Sequence, residues 1–77
     1  MASKWFQTWD RPEYLEWAAE TPEGYALVIL REEPDGYFCA RAELTMGERG
    51  LPEVEPVEEK RVSSREEAEK LAGEWTS

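Results

Sequence analysis

Apolar residues gather into one long run along this chain, Tyr25–Arg31 (YALVILR), which is followed by the mixed stretch Tyr37–Leu44 (YFCARAEL). Between them stands Glu33-Pro34-Asp35-Gly36. Pro34 presets the first turn dihedral, Asp35 can bond its own backbone, and Gly36 suits a left-handed position, so the stretch predicts a β-hairpin. With Pro34–Gly36 as a three-residue loop, Leu30 is expected opposite Ala40, Val28 opposite Ala42 and Ala26 opposite Leu44. One face then holds Ala26, Val28, Leu30, Phe38, Ala40, Ala42 and Leu44. The other holds Tyr25, Leu27, Ile29, Arg31, Tyr37, Cys39, Arg41 and Glu43. Both faces are apolar towards the middle, unlike a sheet with one solvated side, so both call for cover.

The turn has an echo. Glu20-Thr21-Pro22-Glu23-Gly24-Tyr25 repeats the pattern of Glu32-Glu33-Pro34-Asp35-Gly36-Tyr37, twelve residues earlier. That spacing suits consecutive strands, and it favours a first strand over Tyr14–Glu20. The composition of residues 11–20, rich in Glu, Leu and Ala and opened by Asp10 and Pro12, also fits a helix, so both assignments stand.

At the N-terminus, residues 1–12 form an aromatic arm with Trp5, Phe6 and Trp9. It is expected either to lie as a lid over one hairpin face or to present an exposed anchor to a partner. Residues 45–56 (TMGERGLPEVEP) carry two glycines and two prolines and predict a long mobile loop, pinned by Leu51 and Val54. Val57–Val62 reads as a polar edge strand. The last element is a helix: Ser64 with Glu67 forms a capping box, and Ala68, Leu71, Ala72 and Trp75 make one apolar stripe. The expected fold is α+β, a single domain over 1–77 with a small antiparallel meander of three or four strands and a C-terminal α-helix on one face.

Composition narrows the chemistry. The chain has 77 residues, one cysteine and no histidine, which removes internal disulfides, the common general base and the usual zinc ligand sets. Gly-containing stretches match no phosphate or dinucleotide fingerprint, and the acidic run Glu53–Glu59 lacks the spacing of a calcium loop. No catalytic, cofactor-binding or metal-binding residue is assigned, and an enzyme is not expected. No apolar segment approaches the ~20 residues of a membrane span, and the N-terminus lacks a secretory signal's apolar region, so a cytoplasmic protein is expected.

Eighteen acidic residues against nine basic give a formal charge of −9, spread evenly along the chain. Such a surface repels nucleic acid and anionic lipid and attracts a basic protein. These features suggest a small acidic protein-binding module, an inhibitor or adaptor of phage or regulatory type, docking on a basic surface of a partner that itself holds nucleic acid. Candidate interaction residues are Trp5, Phe6, Trp9, Trp17, Glu53, Glu55, Glu58 and Glu59. A second reading is a homo-oligomeric subunit, a homodimer associating through an apolar sheet face.

If residues 11–20 are helical, the order becomes α-β-β-β-α and resembles a double-stranded-RNA-binding domain. Ser63–Ala72 is similar to that family's last helix in its alanine stripe. The family's lysine cluster is replaced here by Glu66, Glu67 and Glu69 around Arg65, which would repel RNA. This degenerate RNA-binding-like fold is the third reading.

Overall fold

Three hairpins, each closed by a proline and an acidic residue, set the architecture. The computed structural model describes residues 4–77 and shows five strands followed by one helix: β1 (Trp5–Arg11), β2 (Tyr14–Thr21), β3 (Gly24–Glu33), β4 (Gly36–Met46), β5 (Pro52–Val62) and α1 (Arg65–Trp75). The strands pair antiparallel in sequence order, so the sheet is a plain meander. The α+β class holds, with five strands rather than three or four. Residues 14–21 are strand, so the α-β-β-β-α order behind the RNA-binding resemblance does not form.

The aromatic arm is not a lid. Trp5–Arg11 pairs with β2 as an edge strand, because Pro12-Glu13 makes a third turn of the kind seen at Pro22-Glu23 and Pro34-Asp35. The expected long loop is also mostly strand. β4 runs on to Met46 and β5 starts at Pro52, leaving residues 47–51 as the connection. Both prolines of β5 are tolerated because this is an edge strand, which needs ladder donors on one side only. Leu51 and Val54 pin nothing; they are 66% and 59% exposed.

Register differs from the expected one by a single residue. Glu33 pairs with Gly36, so the loop is Pro34-Asp35 alone, and Leu30 faces Cys39, Val28 faces Arg41 and Ala26 faces Glu43. A one-residue slip turns a whole strand over. One face therefore carries Ala26, Val28 and Leu30 with Tyr37, Cys39 and Arg41. The other carries Tyr25, Leu27 and Ile29 with Phe38, Ala40, Ala42 and Leu44. Gly36 and Gly24 end the two echoing turns with φ of +149° and +157°. A Cβ at Gly24 would collide with the carbonyl of Leu44, and one at Gly36 with that of Val62. The glycines let the neighbouring strand pass close by.

The helix closes the first face. Ser64 accepts a hydrogen bond from the backbone N–H of Glu67 at 3.2 Å, which caps the N-terminus. Ala68 and Ala72 are buried, and their small side chains bring the helix onto Leu15, Val28, Leu30 and Cys39, with Trp5, Trp17, Tyr37, Val62, Leu71 and Trp75 around this core. Leu30, Val28 and Cys39 are the largest fully buried side chains. Among the described residues, no helix is long and apolar enough to cross a membrane.

Candidate functional site

Among the described residues, no helix covers the second face of the sheet, here called the open face. Its cross-strand rows can be read from the register. One row, Phe6–Ala18–Leu27–Ala42–Pro56, is apolar across all five strands. Beside it runs Trp9–Glu16–Ile29–Ala40–Glu59, and on the far side Glu20–Tyr25–Leu44–Val54. Among the described residues seven large hydrophobics are exposed, and the register places five of them (Phe6, Trp9, Tyr25, Met46 and Val54) on this face; Val57 is the bulge residue of β5 and Leu51 lies in a loop. Ala18, Ala40 and Ala42 are nevertheless buried, because larger side chains on neighbouring strands stand over them.

Two β-bulges decide what this face displays. In β1, Gln7 pairs with Trp17 and Trp9 with Glu16, so Thr8 is an extra residue. It switches the alternation, sending Trp9 and Arg11 to the open face and Asp10 to the helix side. Thr8 is tied down by its hydroxyl, which donates to the Glu16 carboxylate at 2.6 Å. In β5, Arg41 pairs with Glu58 and Ala42 with Pro56, so Val57 is the extra residue. This second switch sends Val54 and Pro56 to the open face and Glu53 and Glu55 to the helix side. Bulges commonly re-aim side chains at sheet edges. Both of these move apolar residues to the uncovered face and acidic ones away from it.

Charge is consequently sided, although it is even along the sequence. The open face holds four acidic residues (Glu16, Glu20, Glu33, Glu59) against three arginines (Arg11, Arg31, Arg61). The sheet's helix side and the helix together hold ten acidic residues (Asp10, Glu32, Glu43, Glu53, Glu55, Glu58, Glu66, Glu67, Glu69, Glu74) against Arg41, Lys60, Arg65 and Lys70. The net charge is −1 on the open face and −6 on the other side, with −2 left to the turns, loop and terminus.

At the open face's polar end, two of the three arginines find partners within the protein. Arg31 and Arg61 lie over opposite sides of the Phe38 environment, 4.8 and 5.1 Å from the ring centroid, and both reach Glu33, at 3.4 and 3.1 Å. The Tyr14 hydroxyl donates to Glu16 at 2.8 Å. Burial, then the hydrogen bond to the Glu16 carboxylate and its negative charge, push the Tyr14 phenol up to about 12, against a smaller opposing effect of Arg31.

On the helix side, Glu43 stands directly opposite Glu55, Thr45 opposite Glu53 and Arg41 opposite Glu58. Like charges directly opposite destabilise a sheet. Among the described residues, no ion pair reaches Glu43, Glu53, Glu55 or Glu58. Arg41 has a buried Nε without a hydrogen-bond partner. No described group of three or more His, Cys, Asp or Glu residues is gathered closely enough to hold a metal ion.

The structure thus divides the candidate residues. Phe6 and Trp9 are exposed on the open face; Trp5 and Trp17 pack against the helix-side core. Glu53, Glu55 and Glu58 share the helix side, and Glu59 lies on the open face. No family model, curated protein or solved structure matches the chain. Sequence reasoning missed Glu43, Met46, Val54 and Val57 as surface features, and it grouped Tyr25 with Cys39 rather than with Phe38. The bulges and the register place them, and neither leaves a local signal.

Proposed function

We propose that the chain is a small acidic protein-binding module, an adaptor or inhibitor working in the cytoplasm, that docks through its helix side on a basic surface of a partner protein. The observation that carries this reading is the siding of charge: ten acidic residues against four basic ones on one side of the molecule. A field of that kind attracts basic surfaces and repels phosphate backbones, which suits a partner whose own basic surface binds nucleic acid. The reading assigns no catalytic step and no cofactor. The unpaired Glu43–Glu55 contact supports it further, since an arriving cation would relieve a repulsion that the free protein carries.

Affinity capture from lysate tests this, with wild type beside the Glu43→Lys/Glu53→Lys variant and washes at low and moderate salt. A partner that elutes with salt and is lost from the variant is the expected result. Retention of nothing, or binding indifferent to salt and to the two substitutions, contradicts it.

A further inference from the structure

We infer that the open face is a self-association surface, occupied by the open face of a second copy of this chain in a face-to-face, two-fold β-sandwich. The inference goes beyond the acidic-module reading and does not depend on it.

Four observations converge on a second copy. The first is charge. The open face carries only −1 of the molecule's −9, so two such faces can meet without bringing the acidic sides together, and the acid ends up on both outer surfaces of the pair. The second is the pair of bulges. Thr8 and Val57, in different strands, each turn apolar residues onto the uncovered face and acidic ones off it. A monomer under pressure only for solubility would gain from the reverse.

The third is area. The chain exposes 5709 Å², against about 4,800 Å² expected of a compact monomer of its mass. Its radius of gyration is 12.9 Å, against about 11.5 Å expected for its length. A sheet face within the molecule's 38 and 27 Å extents has room for the ~800 Å² per partner that a standard interface buries. The fourth is the state of the edges. Pro52, Pro56 and the charges of β5, with the bulge in β1, blunt both edges against pairing with another chain, which leaves the face.

The face is also compatible with its own rotation. A two-fold axis lying in the interface across the strands sets the Trp9–Ile29–Ala40 row over the partner's Phe6–Leu27–Ala42 row. It lays the arginine end of one copy over the Glu20 end of the other, so no row of cations meets a row of cations. Sheets packed this way cross at about 30° and interdigitate side chains from the two inner faces.

Sedimentation velocity on the full chain at physiological salt tests the proposal, with Trp9→Glu and Val54→Glu as separate variants. These positions are 52% and 59% exposed, so neither substitution empties the core, and far-UV circular dichroism verifies that the variants remain folded. At ~0.1 mM, well above the ~1 μM dissociation constant of a weak standard-sized interface, wild type is expected at twice the 8.9 kDa chain mass. Each folded variant is expected at the single-chain mass under the same conditions. A wild type that stays at the single-chain mass overturns the proposal and leaves the face to an unlike partner. A dimer that survives both substitutions also overturns it, because it must then form through another surface. Capture of a basic partner through the helix side moves neither result.

Discussion

Cys39 sits at the centre of the sheet, 1% exposed and under the two alanines of the helix. Burial pushes its thiol pKa up, which withholds the thiolate that reacts. The native protein at neutral pH is therefore expected to resist a thiol reagent until denaturant is added; rapid labelling without denaturant would place the residue elsewhere. Its role as a small buried hydrophobe was legible in the sequence, because a mid-strand position without a nearby base leaves little else. Tyr14 was not legible in this way. Its pKa is raised in the fold, so the neutral phenol stabilises the native state at pH below about 10, and that contribution is lost as pH rises towards about 12. Tyr14→Phe is expected to reduce the fall of thermal stability across that window, measured by melting at stepped alkaline pH. An unchanged profile would mean that burial and the Glu16 carboxylate do not raise this phenol in the fold.

At the scale of elements, the turns and the helix were readable because their signals are local. Two x-Pro-acid-Gly-Tyr repeats announced consecutive strands, and Ser64 with its alanine stripe announced α1. The register was not readable, since Gly36 serves equally as the last loop residue or the first strand residue, and the choice turns β4 over. Glycines offer a direct check. Gly36→Ala puts a methyl group into the Val62 carbonyl and should destabilise by more than ~1 kcal/mol, whereas Gly73→Ala, with open space around it in α1, should stabilise by up to ~1 kcal/mol. Opposite signs in urea unfolding support the placement of both; a neutral Gly36→Ala would contradict the close approach of β5. The Glu43–Glu55 pair yields a second check. Glu43→Lys replaces a cross-strand repulsion by an attraction and should stabilise the sheet by ~0.2–1 kcal/mol while weakening partner capture. Loss of stability instead would show that the two carboxylates are not opposed.

For the whole molecule, the uneven distribution of charge is the property least visible in the chain. Each quarter of the sequence carries a similar negative excess, and only the combination of register and two bulges sorts ten acids to one side and leaves an apolar, almost neutral face on the other. Large apolar patches are uncommon on free monomers, and the self-association proposed for the open face would cover this one. The two sides should respond to salt in opposite directions. Capture of a basic partner weakens as salt screens attraction. Self-association through the open face strengthens, because two chains of charge −9 repel one another at a distance while the contact itself is apolar. The most direct measurement is the self-association constant of the wild-type chain by sedimentation equilibrium from ~0.01 M to ~0.15 M salt, over which the Debye length falls from about 30 to about 8 Å. The two-sided molecule predicts a dimer that tightens as salt is added. A dimer that loosens with salt, or a monomer throughout, would contradict it.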